Sequence, residues 1–459
     1  MTADLLARGA ESGSGRRADS DPGAGPVDGA GPVESSGLVE DPGSGTSGSG
    51  LAAPPVSGPV SGAVSRAVPG PVSGSEHADR IAALRAAMRR RGLSALALAS
   101  PENVHYLLGL DHLGHFAFTL LVLPRSGPPV LVARRMERHT LREQVPHVRH
   151  ALYGDGRDPA RVAAQELARA CPDGGTVGVE EQSMAFPPAV LARIRAHLPG
   201  LRWTDCSALP ARLRRIKSPA ETALVRRAAE ISGIAMGAAL ATADVGVSER
   251  AVAAEVQRAM TEAGGQQPGF VPLIRSTSRL GQEHVTWRDH RIGPGEGLFV
   301  ELSGCVHRYH APMSRTVYCA EPPPGARESA AAAFAGLAAA RAALVPGART
   351  GEVYAAWAGA VAEVTGRRPR RHHCGYLTGA GFPPSWVGGG SVLGIRAGGG
   401  TRIRAGMVFH LMSWVELPAG YVVSDTALVG EDGCELLTAT PDGPPGLLAQ
   451  PVSHEAPDS

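Results

Sequence analysis

Two side chains in this 459-residue chain are of types, and in settings, that invite chemistry: His284 and Glu301. His284 lies in the polar segment Glu283-His284-Val285-Thr286-Trp287. Histidine changes charge near neutral pH, so it can give a proton to a leaving nitrogen and take one back from water. Glu301 closes the apolar run 297–300, where burial would raise its pKa unless a cation pairs with it. Such a carboxylate either activates water or attacks carbon itself. A proton donor and a base or nucleophile together suffice to cleave a C–N bond in a small polar nitrogen compound. Each has a plainer role beside this one: His284 as a structural histidine bonded to a loop carbonyl, Glu301 as the partner of Arg315. Trp287, Trp386 and Trp414 are three of only five tryptophans, and their faces suit a compact delocalised cation, with core packing the rival use.

The elements that must position these groups follow from periodicity and breakers. Ile81, Leu84 and Met88 recur at helical spacing, and the run from Leu93 reads as a buried strand. Apolar runs at 116–124 and 129–133, then 176–180 before a helix ending near Leu198, predict a compact α/β domain over 76–210. Ser218-Pro219-Ala220-Glu221 reads as an N-cap with Pro in the first turn and Glu three residues after the cap, opening a long helix. Further helices are predicted from Ser248, over 326–344 and over 351–365, with strands at 297–302, 315–319, 407–412 and 421–429. The order helices, hairpin, helices, hairpin predicts a duplicated α+β unit over 211–440. On the strand at 407–412, His410 faces the side opposite to Phe409 and Leu411.

Composition excludes several classes. Residues 1–75 are rich in Gly, Ser, Pro and Asp, with the repeated unit Pro-Val-Ser-Gly, and they read as a disordered tail; 441–459 read likewise. Lys plus Arg (45) nearly balance Asp plus Glu (43) without an aromatic-studded basic face, which argues against nucleic acid as a partner. No apolar run is long enough to span a bilayer, none follows Met1 as a leader would, and the six cysteines show no paired spacing. The expectation is a cytoplasmic enzyme acting on a small molecule, with no membrane partner.

The segments Arg212–Glu221, Phe299–Gly304, Tyr309–Thr316, Gly406–Phe409 and Ser424–Thr438 together resemble the signatures of the pita-bread superfamily of creatinase, prolidase and aminopeptidase P. The stretch Pro101–Pro124 is similar to that superfamily's N-terminal domain. The resemblance implies an α+β pita-bread catalytic domain preceded by a smaller α/β creatinase-type domain. Metal enzymes of the superfamily hold two cations with Asp, Asp, His, Glu and Glu. The matching positions here are Glu301, Pro312, Tyr376, Met412 and Ser424, so the resemblance implies no metal and no other cofactor. Its metal-free members, ectoine hydrolase above all, show similar replacements. Tyr309-His310-Ala311-Pro312, Gly375-Tyr376, Phe382-Pro383-Pro384 before Trp386, and Phe409-His410-Leu411 resemble them.

That resemblance implies catalytic roles for His284, Glu301, Tyr376 and Asp425, and substrate-binding roles for Trp287, Tyr309, Trp386, His410, Trp414 and His115. Tyr376 would hydrogen-bond a substrate carboxylate or the tetrahedral intermediate; Asp425 would orient His284 or bind a cationic group. The superfamily's homodimers imply that His115 reaches a partner subunit's cleft. The chain departs from ectoine hydrolases at Ser385, Val387-Gly388, Met412-Ser413-Trp414 and Val422, and its glycine-rich stretches at 388–391 and 398–400 imply a remodelled rim. These departures weaken ectoine itself as substrate more than metal-free hydrolysis. A metal-dependent Xaa-Pro peptidase and a non-catalytic binding protein are the alternatives.

Overall fold

The structure, a computed structural model, describes residues 69–388, 390 and 392–438. The repeats before residue 69, the C-terminal tail and parts of the 388–391 stretch lie outside the described residues. The last repeat is ordered, against expectation: Val72 packs on the core of the second domain and Ser73 caps the first helix, α1 (Gly74–Arg90), by accepting from the Glu76 amide. Burial of one valine and a cap satisfied by serine are enough to fix residues that composition alone assigns to a tail.

The first domain follows as β1 (Ala95–Leu98), α2 (Pro101–Leu108), β2 (Leu120–Pro124), β3 (Val130–Arg134), α3 (Arg138–Gln144), β4 (Arg149–Tyr153), α4 (Pro159–Ala170), β5 (Gly175–Val179), α5 (Pro188–His197), β6 (Leu201–Asp205) and α6 (Ala208–Leu213). Its mixed sheet has the order β4-β3-β2-β1-β5-β6 and buries apolar residues on both faces, which is why its central strands read as continuous apolar runs. Glu180, just past β5, accepts from the amides of Ala99 and Ser100 and so caps α2; burial raises its pKa to about 7.

The second domain opens with α7 (Pro219–Thr242), whose Ser218–Glu221 capping box forms as predicted. There follow α8 (Glu249–Glu262), β7 (Leu273–Ser276), β8 (Gly297–Val306), β9 (Tyr309–Tyr318), α9 (Ala326–Ala343), α10 (Thr350–Thr365), β10 (Gly375–Leu377), β11 (Val408–Val415), β12 (Tyr421–Val429) and β13 (Cys434–Leu436). The sheet order is β10-β11-β12-β9-β8-β7, with β13 on β12. Helix α7 packs on β8 and β9, and α9 on β11 and β12, so helices cover one face. Gly304 permits that approach: a Cβ there would lie 2.3 Å from the Ala228 carbonyl of α7. The β8–β9 hairpin turns through His307 and Arg308 at φ 44° and 67°. Neither is glycine, and Arg308 is held by an ion pair to Asp111 of the first domain at 2.5 Å. The fold is the α+β arrangement the motifs imply.

Candidate active site

The register of this sheet decides which side chains share a face. Met412, Ser424, Ser314, Glu301 and Leu273 pair directly across β11, β12, β9, β8 and β7, one row on one face. Two residues along β9 from Ser314 is Pro312, opposite Ser303, and two residues along β11 from Met412 is His410, opposite Tyr376. Strand alternation therefore sets Glu301, Pro312, Tyr376, Met412 and Ser424 together on the face away from the helices. His410 joins them, as its alternation predicted.

A polar chain runs across that face. Trp386 Nε1 donates to the Tyr376 hydroxyl (3.0 Å), which meets His410 Nδ1 (2.9 Å); His410 Nε2 meets Ser424 Oγ (2.6 Å), and Ser424 Oγ donates to Ser314 Oγ (2.7 Å). Ser424 has one hydrogen and gives it to Ser314, so Nε2 must be the donor in its bond to Ser424. Burial holds the His410 pKa down to about 3, so the ring carries one proton only, and Nδ1 accepts from Tyr376. Burial, then the nearby Glu301 charge, pushes the Tyr376 phenol well above its usual value, so it stays a donor.

Glu301 is 6 % exposed and forms no hydrogen bond or ion pair among the described residues. Burial raises its pKa to about 7, against the pull of Arg275 and Arg371. Arg275, from β7, lies 4.4 Å over the Phe299 ring, and its Nε and one terminal nitrogen are buried without partners. Arg371 lies 4.4 Å over Trp414 and pairs with Glu283. Sequence reasoning did not single out these two arginines. The odd Arg inside the apolar stretch Pro272-Leu273-Ile274-Arg275 was the available signal for the first.

The remaining candidates divide. Trp386 is buried with its edge on Phe270 (4.8 Å), and Phe270 stacks on His284 (6.1 Å). His284 is exposed, in a left-handed backbone conformation at φ 55°, and touches this cluster through the Phe270 ring, with no hydrogen bond to Glu301. Phe270 is held because the amide of Gly269 donates to Nε2 of buried His310 (2.9 Å). Trp414 lies on the site face, but its ring is covered by Arg371, so a substrate cation does not find it free. Trp287 packs against the apolar core under α7 and α8 rather than joining this cluster.

Asp425 and Tyr309 are not brought to this face. Both have the opposite strand parity from Ser424 and Pro312. Asp425 instead pairs with Arg315 at 2.9 Å and accepts from Thr438, and the Tyr309 hydroxyl donates to Glu221 at 2.8 Å under α7. Arg315 is thus spent on Asp425, which removes the salt-bridge role considered for Glu301. His115 packs edge-on against Phe382 of its own chain at 5.3 Å.

The donor set does not fit a two-cation centre. Of the five matched positions only Glu301 is a carboxylate; Pro312 has no donor atom, Met412 offers a soft thioether, and Ser424 and Tyr376 are neutral hydroxyls already hydrogen-bonded to His410. Among the described residues no group of three or more His, Cys, Asp or Glu could hold a metal ion.

A helix-backed antiparallel sheet with a polar row on its free face, preceded by a mixed α/β domain, is the architecture of creatinase-type hydrolases. Creatinase/Prolidase N-terminal domain family matches residues 80–216, and metallopeptidase family M24 matches 223–431. The chain is 30% identical over 389 residues to the ectoine hydrolase of Halomonas elongata, covering 80% of this chain and 96% of that protein. It belongs to the creatinase and M24 peptidase family and is an enzyme of that hydrolase type. Dipeptidase PepE from Mycobacterium ulcerans shares the fold at TM-score 0.68 and 24% identity, covering 81% of this chain and 98% of that one. Prolidase from Pyrococcus horikoshii does so at TM-score 0.68 and 20% identity, covering 80% and 99%. Among the described residues no helix is long and apolar enough to cross a membrane.

Proposed function

We propose that this enzyme hydrolyses a C–N bond in a small amidine, guanidino or amide compound without a metal, ectoine being the best-supported substrate. The observation that carries the reading is Glu301, a lone buried carboxylate on a face whose other matched positions bear no anionic ligand. Similarity to the Halomonas ectoine hydrolase supports the substrate class.

Glu301, at a pKa near 7, is available as a base at neutral pH and is sharpened by a cationic amidinium, which stabilises its ionised form. In the water-activating route, Glu301 takes a proton from water as the oxygen adds to the amidinium carbon. The leaving ring nitrogen is then protonated, by Glu301 or by His284, and the C–N bond breaks. Amidinium plus water gives amide plus ammonium, so atoms and charge balance. Tyr376 gives its one hydrogen to His410 and accepts from Trp386, so it has none left for a substrate carboxylate or the tetrahedral intermediate, and its part is to fix the Trp386 and His410 rings. Arg275, with buried N–H groups unpartnered, supplies the anchor for a substrate carboxylate.

The test is a panel of ectoine, hydroxyectoine, creatine and proline dipeptides assayed on wild type and on Arg275→Gln. The expected result is turnover of an amidine or guanidino compound bearing a carboxylate, with KM raised about tenfold or more in the variant and kcat changed less. Cleavage of proline dipeptides alone would sink the reading.

A further inference from the structure

Behind β10 the chain builds a second polar cleft, walled by both domains. Tyr106 of α2 and Arg214 and Arg215 after α6 form one side; Lys217 and the segment 377–380 form the other. Leu377 lines it while its neighbour Tyr376 points to the catalytic face, so strand alternation separates the two sites.

The charges in this cleft do not close. Lys217 is 6 % exposed, and its ammonium has no hydrogen bond or ion pair among the described residues. Arg214 has its Nε buried without a partner, and Thr378 has its hydroxyl buried without one. Arg215 likewise forms no side-chain ion pair among the described residues. The acid lining the cleft, Glu221, is already taken: it accepts from Tyr309 and the Ser218 amide and pairs with Arg80 at 3.1 Å. Gly379 leaves the space the ammonium uses, since a Cβ there would lie 3.2 Å from Lys217 Nζ.

Unpaired cations and orphaned donors converging on one cavity are costly unless an anion completes them. We infer that this cleft binds a doubly charged oxyanion of the phosphate type, as inorganic phosphate or a phosphate monoester, between Lys217, Arg214 and Thr378. A tetrahedral oxyanion accepts from donors arriving from both walls at once, which a planar carboxylate does less well. Its charge also answers the excess of cations over free acids. Because the walls come from different domains, the bound anion would clamp one to the other. Burial lowers the Lys217 pKa to about 8, which leaves the amine mostly protonated at neutral pH and ready to donate.

The experiment is calorimetric titration of the full chain with inorganic phosphate, in chloride buffer of matched ionic strength, for wild type, Lys217→Met and Arg214→Gln. Arg214 is half-buried, so its variant guards against misfolding of the first. The expected result is saturable binding to wild type, weakened about tenfold or more in each variant, with Lys217→Met no less heat-stable than wild type when phosphate is absent. No saturable binding to wild type, or undiminished affinity in either variant, would overturn the site.

Discussion

Replacing Glu301 by Gln is expected to lower turnover about a thousandfold or more while raising thermal stability at alkaline pH. The first effect follows because no other carboxylate stands in the row formed by Met412, Ser424, Ser314 and Glu301 to replace it. The second follows from linkage. The carboxyl is held at about 7 by burial, against an ordinary 4.5, so the folded state binds a proton that the unfolded chain has released between those values. Stability from this group is therefore present below pH 4.5 and lost as pH rises through 7. The shift is worth about 3 kcal/mol at most, and glutamine removes it. The melting temperature of Glu301→Gln should exceed that of wild type at pH 8 and match it near pH 4. Wild-type kcat/KM should rise with pH through about 7 as Glu301 ionises. A variant that keeps wild-type turnover would show that Glu301 is not the base, and one that melts no higher at pH 8 would show that it is not an uncompensated buried charge.

Arg315→Met is expected to cost about 3–5 kcal/mol of stability, the largest loss from any single change proposed for this sheet. Arg315 donates to the carbonyls of Ser314 and Ser424, each at 2.7 Å, and to Asp425 at 2.9 Å. Removing it strands a carboxylate that is 4 % exposed and leaves two carbonyls short of a donor. Burial already raises the Asp425 pKa, and Arg315 holds it back most, with smaller help from Thr438 and the Arg341 charge. Without Arg315 that pKa climbs further, so the variant should regain stability as pH falls and the carboxyl takes up a proton. Adding Asp425→Asn should recover part of the loss at neutral pH, measured by denaturant unfolding. Equal stability of Arg315→Met and wild type at neutral pH would mean that Asp425 is better solvated than its surroundings indicate.

Much of this arrangement was legible in the chain. Motif order and the Ser218 capping box carried the fold, and the alternation of His410 with Phe409 and Leu411 placed it on the face of Met412. The same period-2 argument, applied to Asp425 beside Ser424 and to Tyr309 three residues before Pro312, would have sent both to the helix side. Proximity in sequence had stood in for parity. Arg371 was not legible because it reaches the site from a loop with no periodicity of its own, and Arg275 carried only the faint signal of a charge in a four-residue apolar strand. Strand β9 was predicted to begin at Arg315 but begins at Tyr309, since Pro312 needs no amide donor where it pairs with Ser303 and its carbonyl accepts from Thr426. His284 was legible as chemistry but not as position, because it sits in a loop where its ring stacks on Phe270, a contact no periodicity announces.

The most direct test of metal-free C–N hydrolysis is the rate of ectoine turnover by protein stripped of metals, assayed in the presence and absence of chelator. The account predicts that N-acetyl-2,4-diaminobutyrate forms at the same rate in both, and that added divalent cations do not raise it. Activity that vanishes with chelator and returns with zinc or manganese would contradict it.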